Sequence, residues 1–264
     1  MPTSPKIFVL ARPAFDAATF LKFLNAEHHE WRRTPGARAA EELVEAAGRI
    51  CYLSFGQNQS PRTNEQFIRN LVRMGHESVL EHVSWTFLML GVSRAFSHQL
   101  VRHRVGFSFS QLSQQYHDER DATFVMPPEL DGIAGAPEAW ESAVDATKKA
   151  YRTLDTLLRE HEESFPEDLD KKETNRAIRS AARSVLPNAT ETKIVVTANA
   201  RALRYFLKIR GGIPGDREMR EVAAALLSIL SSEAPALFFD FRLKRLSDGS
   251  PQVQHETDLQ SVLV

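Results

Sequence analysis

Apolar residues recur at helical spacing in several stretches of the chain, and residues that cap or break helices bound each stretch. The first predicted helix covers residues 39–51. The second starts with Asn64 as its N-cap and stops at Gly75, and a third is capped by Ser93 and runs into Arg102. Later helices are predicted over residues 137–163, 170–185, 200–209 and 216–232.

Other segments have the composition of strands and loops. Residues 83–90 and 190–199 predict two long strands, and residues 123–126 predict a short one, because β-branched and aromatic residues dominate them. Residues 106–122 are polar and have no helical apolar stripe, so we interpret them as an ordered functional loop. The polar residues after about 246 are expected to form a tail that frays over about its last fifteen residues. Neither a linker nor a repeat divides the sequence, which favours a single domain over residues 1–264.

The composition narrows the class of protein and of partner. The 264 residues include 33 Lys+Arg and 34 Asp+Glu, and 24 of the basic residues are arginines. A formal net charge of −1 argues against a long polyanion as the main partner, whereas planar guanidinium groups suit small phosphates and carboxylates. With 42% hydrophobic residues the chain can form a substantial core, which excludes disorder as its main state.

Cys51 is the only cysteine, which excludes an intrachain disulfide and a zinc site built on several thiolates. It stands in the apolar sequence RICYL, so a buried structural cysteine is favoured over a catalytic nucleophile. The N-terminal apolar run of four residues is too short for a signal peptide, and no segment approaches the roughly 20 apolar residues of a membrane span. We therefore expect a soluble cytoplasmic protein that binds neither membranes nor nucleic acid.

The sequence HESVLEH, with a histidine at each end, superficially resembles the zinc-binding motif of a helix. His76 and His82 are six residues apart, which would place them about 240° apart around a helix, so we expect no metal site. They remain candidates for structural histidines or for hydrogen bonds to a ligand. Glycine-rich phosphate loops of the Rossmann and Walker types do not occur in the sequence, so any nucleotide must be held by side chains.

Residues 102–116, RHRVGFSFSQLSQQY, form the strongest candidate site. Arg102 and Arg104 stand at the predicted end of a helix, and serines, glutamines and aromatic residues follow them. Guanidinium groups bind phosphate, hydroxyl and amide groups bind ribose and base edges, and aromatic rings stack on planar heterocycles. These residue types indicate a nucleotide or flavin site, and a solvated basic helix end followed by a polar loop is the alternative. Arg183 and the basic helix that ends at Arg210 form a second set of the same kind.

Together these segments resemble the flavin-dependent thymidylate synthases. That family's signature is RHR, then seven or eight residues, then Ser, and here eight residues separate Arg104 from Ser113. GHESVLEH with the strand VSWTF, ARSVLP and TANARALRYFLKIR also occur in the family's order, within about residues 46–234. The resemblance implies an α+β fold with a central antiparallel sheet flanked by helices, in a homotetramer whose active sites lie between subunits. It further implies reductive methylation of deoxyuridylate to thymidylate, with FAD as cofactor and with NADPH and methylenetetrahydrofolate as co-substrates.

The resemblance also implies a role for individual residues. The residues expected to contact the flavin are His76, Ser78, Arg102, His103, Arg104, Gln111, Asn199, Arg201 and Tyr205. The residues expected to bind the nucleotide are Gln99, Arg102, Gln111, Ser113, Gln114, Gln115, Arg183 and Arg210. Arg210 and Ser113 are the expected catalytic residues, and the cation of Arg210 would polarise the pyrimidine ring. Such a reaction requires no protein nucleophile, which suits a chain whose one cysteine is interpreted as structural.

Three positions depart from the usual pattern of that family. Gln115 replaces an arginine in the ending Ser-x-Arg-Tyr, while Tyr205 and Pro214 replace a polar flavin contact and a histidine. A second hypothesis is therefore the same chemistry on another uridine nucleotide, such as uridylate. A third hypothesis is a non-catalytic nucleotide-binding or RNA-binding protein that uses the same arginines, although the near-neutral charge counts against RNA.

Overall fold

The computed structural model describes residues 5–256. Its helices and strands are, in chain order, β1 (Lys6–Ala11), α1 (Ala17–Ala26), α2 (Ala39–Ile50), α3 (Asn64–Arg73), β2 (Ser84–Ser93), α4 (Arg94–Leu100), β3 (Phe107–Gln111), α5 (Ala136–Glu160), α6 (Lys171–Ala182), β4 (Glu191–Asn199), α7 (Ala200–Arg210), α8 (Arg217–Glu233), β5 (Phe241–Arg245) and β6 (Pro251–His255). This mixture of helices with antiparallel strands confirms the predicted α+β class.

Two sheets are present among the described residues. Four strands form one sheet in the order β1-β2-β4-β3, and β5 pairs with β6 in a separate antiparallel hairpin in which Leu243 lies opposite Val253. Strands β2 and β4 are the two long strands expected from the sequence. Their residues alternate between buried and accessible positions, as strands with one face on a core do.

The chain divides into two compact units. Unit 1 contains Leu88–Arg102, Phe109–Val195 and the described residues up to Lys6. Unit 2 contains Ile7–Phe87, His103–Ser108 and the described residues from Val196. The single domain inferred from the sequence stays a prediction.

The core of unit 1 includes a buried charge that is compensated locally. Asp155 on α5 is fully buried, and both Arg120 and Arg159 form ion pairs with it. These cations hold the pKa of the carboxyl below its usual value, although burial alone would raise it. The pairs therefore fix α5 to the segment that follows β3.

Unit 2 contains α7, the helix that carries several candidate residues. Its inner face buries Leu203, Phe206 and Leu207, and it buries Arg204 as well. The Arg204 guanidinium donates to both carboxylate oxygens of Asp240, at 2.7 and 2.6 Å. This bidentate pair fastens α7 to the segment just before β5.

Several boundaries expected from the sequence are wrong. The N-cap of α3 is Thr63, which forms a capping box with Gln66, whereas the Asn64 side chain is buried and donates to Glu45 and to the Glu41 carbonyl.

Within the expected loop 106–122, residues 107–111 form β3, and the expected strand 123–126 is reduced to a single bridge at Phe124. Strands β1, β5 and β6 and helix α1 are not among the expected elements. Strand β6 lies in the expected polar tail, and residues from 257 onward lie outside the described part of the chain.

Candidate functional site

Two candidate residues that lie far apart in sequence meet in unit 2. Arg210, the last residue of α7, donates from Nε to Nε2 of His103 at 3.1 Å. His103 is half-buried, and burial together with the charge of Arg210 lowers its pKa. The imidazole is therefore neutral near neutral pH, accepts at Nε2 and carries its proton on Nδ1. The structure thus joins the RHR sequence to the end of α7.

An aromatic cluster surrounds His103. Phe107, Tyr205 and Phe206 have ring centroids 5.9, 6.0 and 5.3 Å from the imidazole. Phe206 is fully buried, whereas 58% of Tyr205 is exposed. Unit 2 therefore presents both a cation and aromatic surface at this place, which are the groups that hold planar, electron-poor rings.

Asn199 links the RHR segment to the start of α7. Its Oδ1 accepts from the backbone N–H of Ala202 at 2.9 Å as the N-cap, and its own N–H donates to the Gly106 carbonyl. Gly106 has φ +74°, and a Cβ there would stand 2.7 Å from Nδ2 of Asn199. The glycine is therefore required both by its conformation and by the close approach of α7.

A second group of expected flavin residues lines a cavity of about 350 Å³ in unit 2. His76, Ser78 and Arg201 border it together with Tyr52, whose ring lies nearly parallel to that of His76 at 6.5 Å. Cys51 also borders this cavity and is exposed, so the expectation of a buried cysteine is wrong. The physical reason is that α2 ends at Ile50, which places Cys51 at the C-cap, outside the buried face of that helix.

Arg201 is not a free cation. Its guanidinium contacts Glu81 at 2.5 Å and Glu77 at 3.5 Å, and these carboxylates raise its pKa. Both Arg201 and Glu77 also border a second cavity of unit 2, of about 580 Å³, which Tyr205 helps to line. A ligand that uses Arg201 must therefore share it with, or displace it from, two carboxylates.

Arg102 and Arg104 are exposed, and neither forms an ion pair or a side-chain hydrogen bond with any residue in the range 5–256. Two guanidinium groups without counter-charges flank the neutral His103 in sequence. Unit 2 therefore contains the exposed cation Arg104 next in sequence to His103 and its aromatic rings, and Ser78 at the cavity of about 350 Å³. Guanidinium groups and aromatic rings are the groups that bind phosphates and planar ring systems.

Most of the expected nucleotide residues lie in unit 1. Gln111 donates from Nε2 to the hydroxyls of Ser97 at 2.9 Å and of Thr192 at 3.1 Å, which leaves its carbonyl oxygen as an acceptor. Ser113 is half-buried, and its hydroxyl accepts from the backbone N–H of Gln115. Gln99 is half-buried on α4.

Two neighbouring glutamines of unit 1 differ in how their amides are used. Gln114 is buried, and its Nε2 has no hydrogen-bond partner among the described residues. A buried donor without a partner costs free energy, so this amide fits a position that a ligand oxygen would satisfy. The side chain of Gln115 instead donates to Ser180 at 3.0 Å.

Arg94, the first residue of α4, is a further cation of this region and is not among the residues expected from the sequence. Its Nη2 donates to the Leu112 carbonyl at 2.9 Å, while its Nε is buried without a partner in the described range. Burial lowers its pKa, Glu119 opposes that effect and the nearby charge of Arg183 adds to it. Two cations therefore lie close together beside the segment that holds Ser113. The signal available in the sequence was an arginine in the first turn of a helix, where the dipole disfavours a cation.

The described residues contain neither a metal-binding cluster nor a membrane-spanning helix. Within 5–256, no three His, Cys, Asp or Glu side chains come together in a group that could bind a metal ion. No helix in that part of the chain has the length and apolar character needed to cross a membrane.

Comparison with known proteins agrees with the resemblance seen in the sequence. The family model described as thymidylate synthase complementing protein matches residues 36–236. A protein of Mycobacterium sp. (strain JLS) named flavin-dependent thymidylate synthase is 44% identical over 217 residues, which cover 81% of this chain and 85% of the relative. A protein of the same name from Mycobacterium tuberculosis (strain ATCC 25177 / H37Ra) is 42% identical over 218 residues, 82% of this chain and 86% of the relative. The chain therefore belongs to the family of thymidylate synthase complementing proteins.

Proposed function

We propose that this protein is a flavin-dependent thymidylate synthase. It would methylate deoxyuridylate at C5 with a one-carbon unit from methylenetetrahydrofolate, and NADPH would supply the reducing equivalents. The observation that carries the proposal is the contact between Arg210 and His103, because it joins the family's RHR signature to the arginine expected to polarise the substrate. Family membership and the names of the relatives support the same activity.

Arg210 is the proposed activating residue. Its Nε is used by His103, so the two terminal nitrogens of the guanidinium remain for a substrate oxygen. A fixed cation there would stabilise the negative charge that develops on the uracil ring as C5 becomes nucleophilic. Neutral His103 contributes by accepting the Nε hydrogen bond, which orients the guanidinium without adding a competing charge.

The nucleotide would be held by donors and acceptors of unit 1. Arg183 would bind the phosphate, with Ser113 and the unpartnered amide of Gln114 as further donors. The carbonyl oxygen of Gln111 can accept from the uracil N3–H, because its amide group is already bound to two hydroxyls. Arg102 and Gln99 complete the proposed set.

FAD would be held by His76, Ser78, His103, Arg104, Asn199 and Arg201, with Arg102, Gln111 and Tyr205 as further contacts. When bound, it would supply the hydride that completes the methyl group. Cationic Arg104 suits the pyrophosphate, and the rings beside His103 suit a planar heterocycle. A homotetramer is part of the proposal, and light scattering on the purified protein measures it.

The test compares Arg210→Ala with Lys208→Ala, which removes a charge from the exposed side of the same helix. Wild type should purify yellow and form thymidylate from deoxyuridylate only when methylenetetrahydrofolate and NADPH are present. Arg210→Ala should keep its flavin and lose about 10²- to 10³-fold in kcat, as the loss of one such transition-state contact does. Lys208→Ala should stay close to wild type. Equal loss of flavin and of turnover in Arg210→Ala would contradict the role given to this arginine.

A further inference from the structure

The hairpin of β5 and β6 lies beyond residue 236, where the match to the family model ends. In unit 2 its second strand packs against the C-terminal end of α7. The backbone N–H of Val253 donates to the Gly211 carbonyl at 2.9 Å, and Val253 is only 4% exposed. Gly211 directly follows Arg210, so β6 is hydrogen-bonded to the residue next to the proposed activating arginine.

Gly211 is a point of close packing. Its φ is −69°, so its conformation does not require glycine. A Cβ at this position would stand 2.5 Å from the Cβ of Val253 and 2.5 Å from the Leu207 carbonyl oxygen. The absence of a side chain therefore lets β6 approach α7 more closely than any other residue would allow.

Arg220 on α8 fixes the hairpin to the loop after α7. The residue is 6% exposed, and its guanidinium donates to the Ile213 carbonyl at 3.0 Å, to Ser250 Oγ at 3.0 Å and to the Pro251 carbonyl at 3.2 Å. One buried cation thus holds both the chain that leaves Arg210 and the start of β6. The end of α7 is restrained from two sides.

We propose that β6 positions Arg210, with Val253 as the positioning residue that acts through Gly211. The side chain of Val253 fills the space beside Gly211 and sets where α7 ends, which places the Arg210 Nε within hydrogen-bond distance of His103. The inference rests on the proposed function, because that function makes the orientation of Arg210 matter for turnover. A small misplacement of such a group is costly, since about 1 Å can change a rate by about 10²-fold.

The test uses three variants of the hairpin. Val253→Ala keeps the backbone N–H and the Cβ next to Gly211 but removes both methyl groups, including the Cγ2 that lies beside Gly211. Val253→Ile restores a side chain branched at Cβ. Leu243→Ala is the matched control, because Leu243 lies opposite Val253 on β5 and is half-exposed. We expect kcat to fall about 10-fold or more in Val253→Ala, with KM for deoxyuridylate and flavin content within about twofold of wild type. Val253→Ile should recover most of kcat, and Leu243→Ala should match wild type.

A crystal structure of Val253→Ala provides a measurement that does not depend on activity. In this variant we expect the distance between Arg210 Nε and His103 Nε2 to exceed hydrogen-bond range. An unchanged distance of 3.1 Å, or equal turnover in Val253→Ala and Leu243→Ala, would overturn the proposal. A wild-type protein that makes no thymidylate would instead overturn the proposed function, and the distance in the variant would still decide the structural claim.

Discussion

Replacing Asp240 by asparagine should strongly destabilise the protein, because it leaves the buried guanidinium of Arg204 without a counter-charge. Only 7% of each side chain, Arg204 and Asp240, is exposed, and two hydrogen bonds of 2.7 and 2.6 Å join them. Removing one partner of a buried ion pair costs about 3–5 kcal/mol. At about 2–4 °C per kcal/mol for a chain of this size, the melting temperature should fall by about 6–20 °C.

Thermal unfolding of matched variants measures this cost. Glu65→Gln is the control, because Glu65 pairs with Arg69 at 2.6 Å while 59% of its side chain is exposed, and such a pair contributes at most about 1 kcal/mol. Replacing both partners, Arg204→Met with Asp240→Leu, should recover much of the lost stability because no buried charge remains. If Asp240→Asn and Glu65→Gln have the same melting temperature, the buried ion pair does not contribute the expected stability.

The same carboxylate predicts a dependence on pH. Burial alone would raise the pKa of Asp240, but the hydrogen bonds and charge of Arg204, together with His255, lower it overall. The stability that Asp240 contributes is therefore fully present above the unfolded pKa of about 3.9 and is lost as the pH falls through the folded value. Wild type should lose more stability than Asp240→Asn on acidification below about pH 4, as urea unfolding at each pH would show.

Three further outcomes are expected. The pKa of His103 lies below its ordinary value, so on acidification the unfolded chain binds a proton at a higher pH than the folded chain does. The free energy of unfolding should therefore decline as the pH falls below about 6.5. Urea unfolding should show a shallower decline in His103→Phe. Gly106→Ala should destabilise by about 1 kcal/mol or more, because φ is positive and Asn199 lies in the way, and a melting temperature equal to wild type would contradict that. Thr63→Ala should cost about 1 kcal/mol through loss of the α3 cap, whereas Arg62→Ala beside it should cost almost nothing.

The periodic parts of the fold were predictable from the sequence. The spacing of apolar residues predicts helices such as α8 and strands such as β4, because each of them buries one face on a core. Strand β3 also carried a signal, since Phe107 and Phe109 alternate with serines at the period of a strand. The many serines and glutamines of residues 108–115 favour a loop by composition, and this masks the short alternation.

The candidate site was only partly predictable. The residue types of the RHR segment indicated a nucleotide or flavin site, but Arg210 and His103 are 107 positions apart, and no local pattern pairs them. The partners of Arg201 and Arg204 were equally hidden, because both arginines lie in one helix with the same spacing pattern. Tertiary contacts place Arg201 in an ion pair with Glu81 at the surface and Arg204 in a buried ion pair with Asp240.

Thymidylate synthesis by this protein is tested most directly by the product that it forms from a uridine nucleotide. Purified protein with FAD, NADPH and methylenetetrahydrofolate is incubated with deoxyuridylate or with uridylate, and methylated nucleotide is measured by mass spectrometry. We expect thymidylate from deoxyuridylate, a clear preference for deoxyuridylate over uridylate, and almost no product with Arg210→Ala. Flavin-loaded protein that oxidises NADPH yet leaves both nucleotides unmethylated would contradict this expectation.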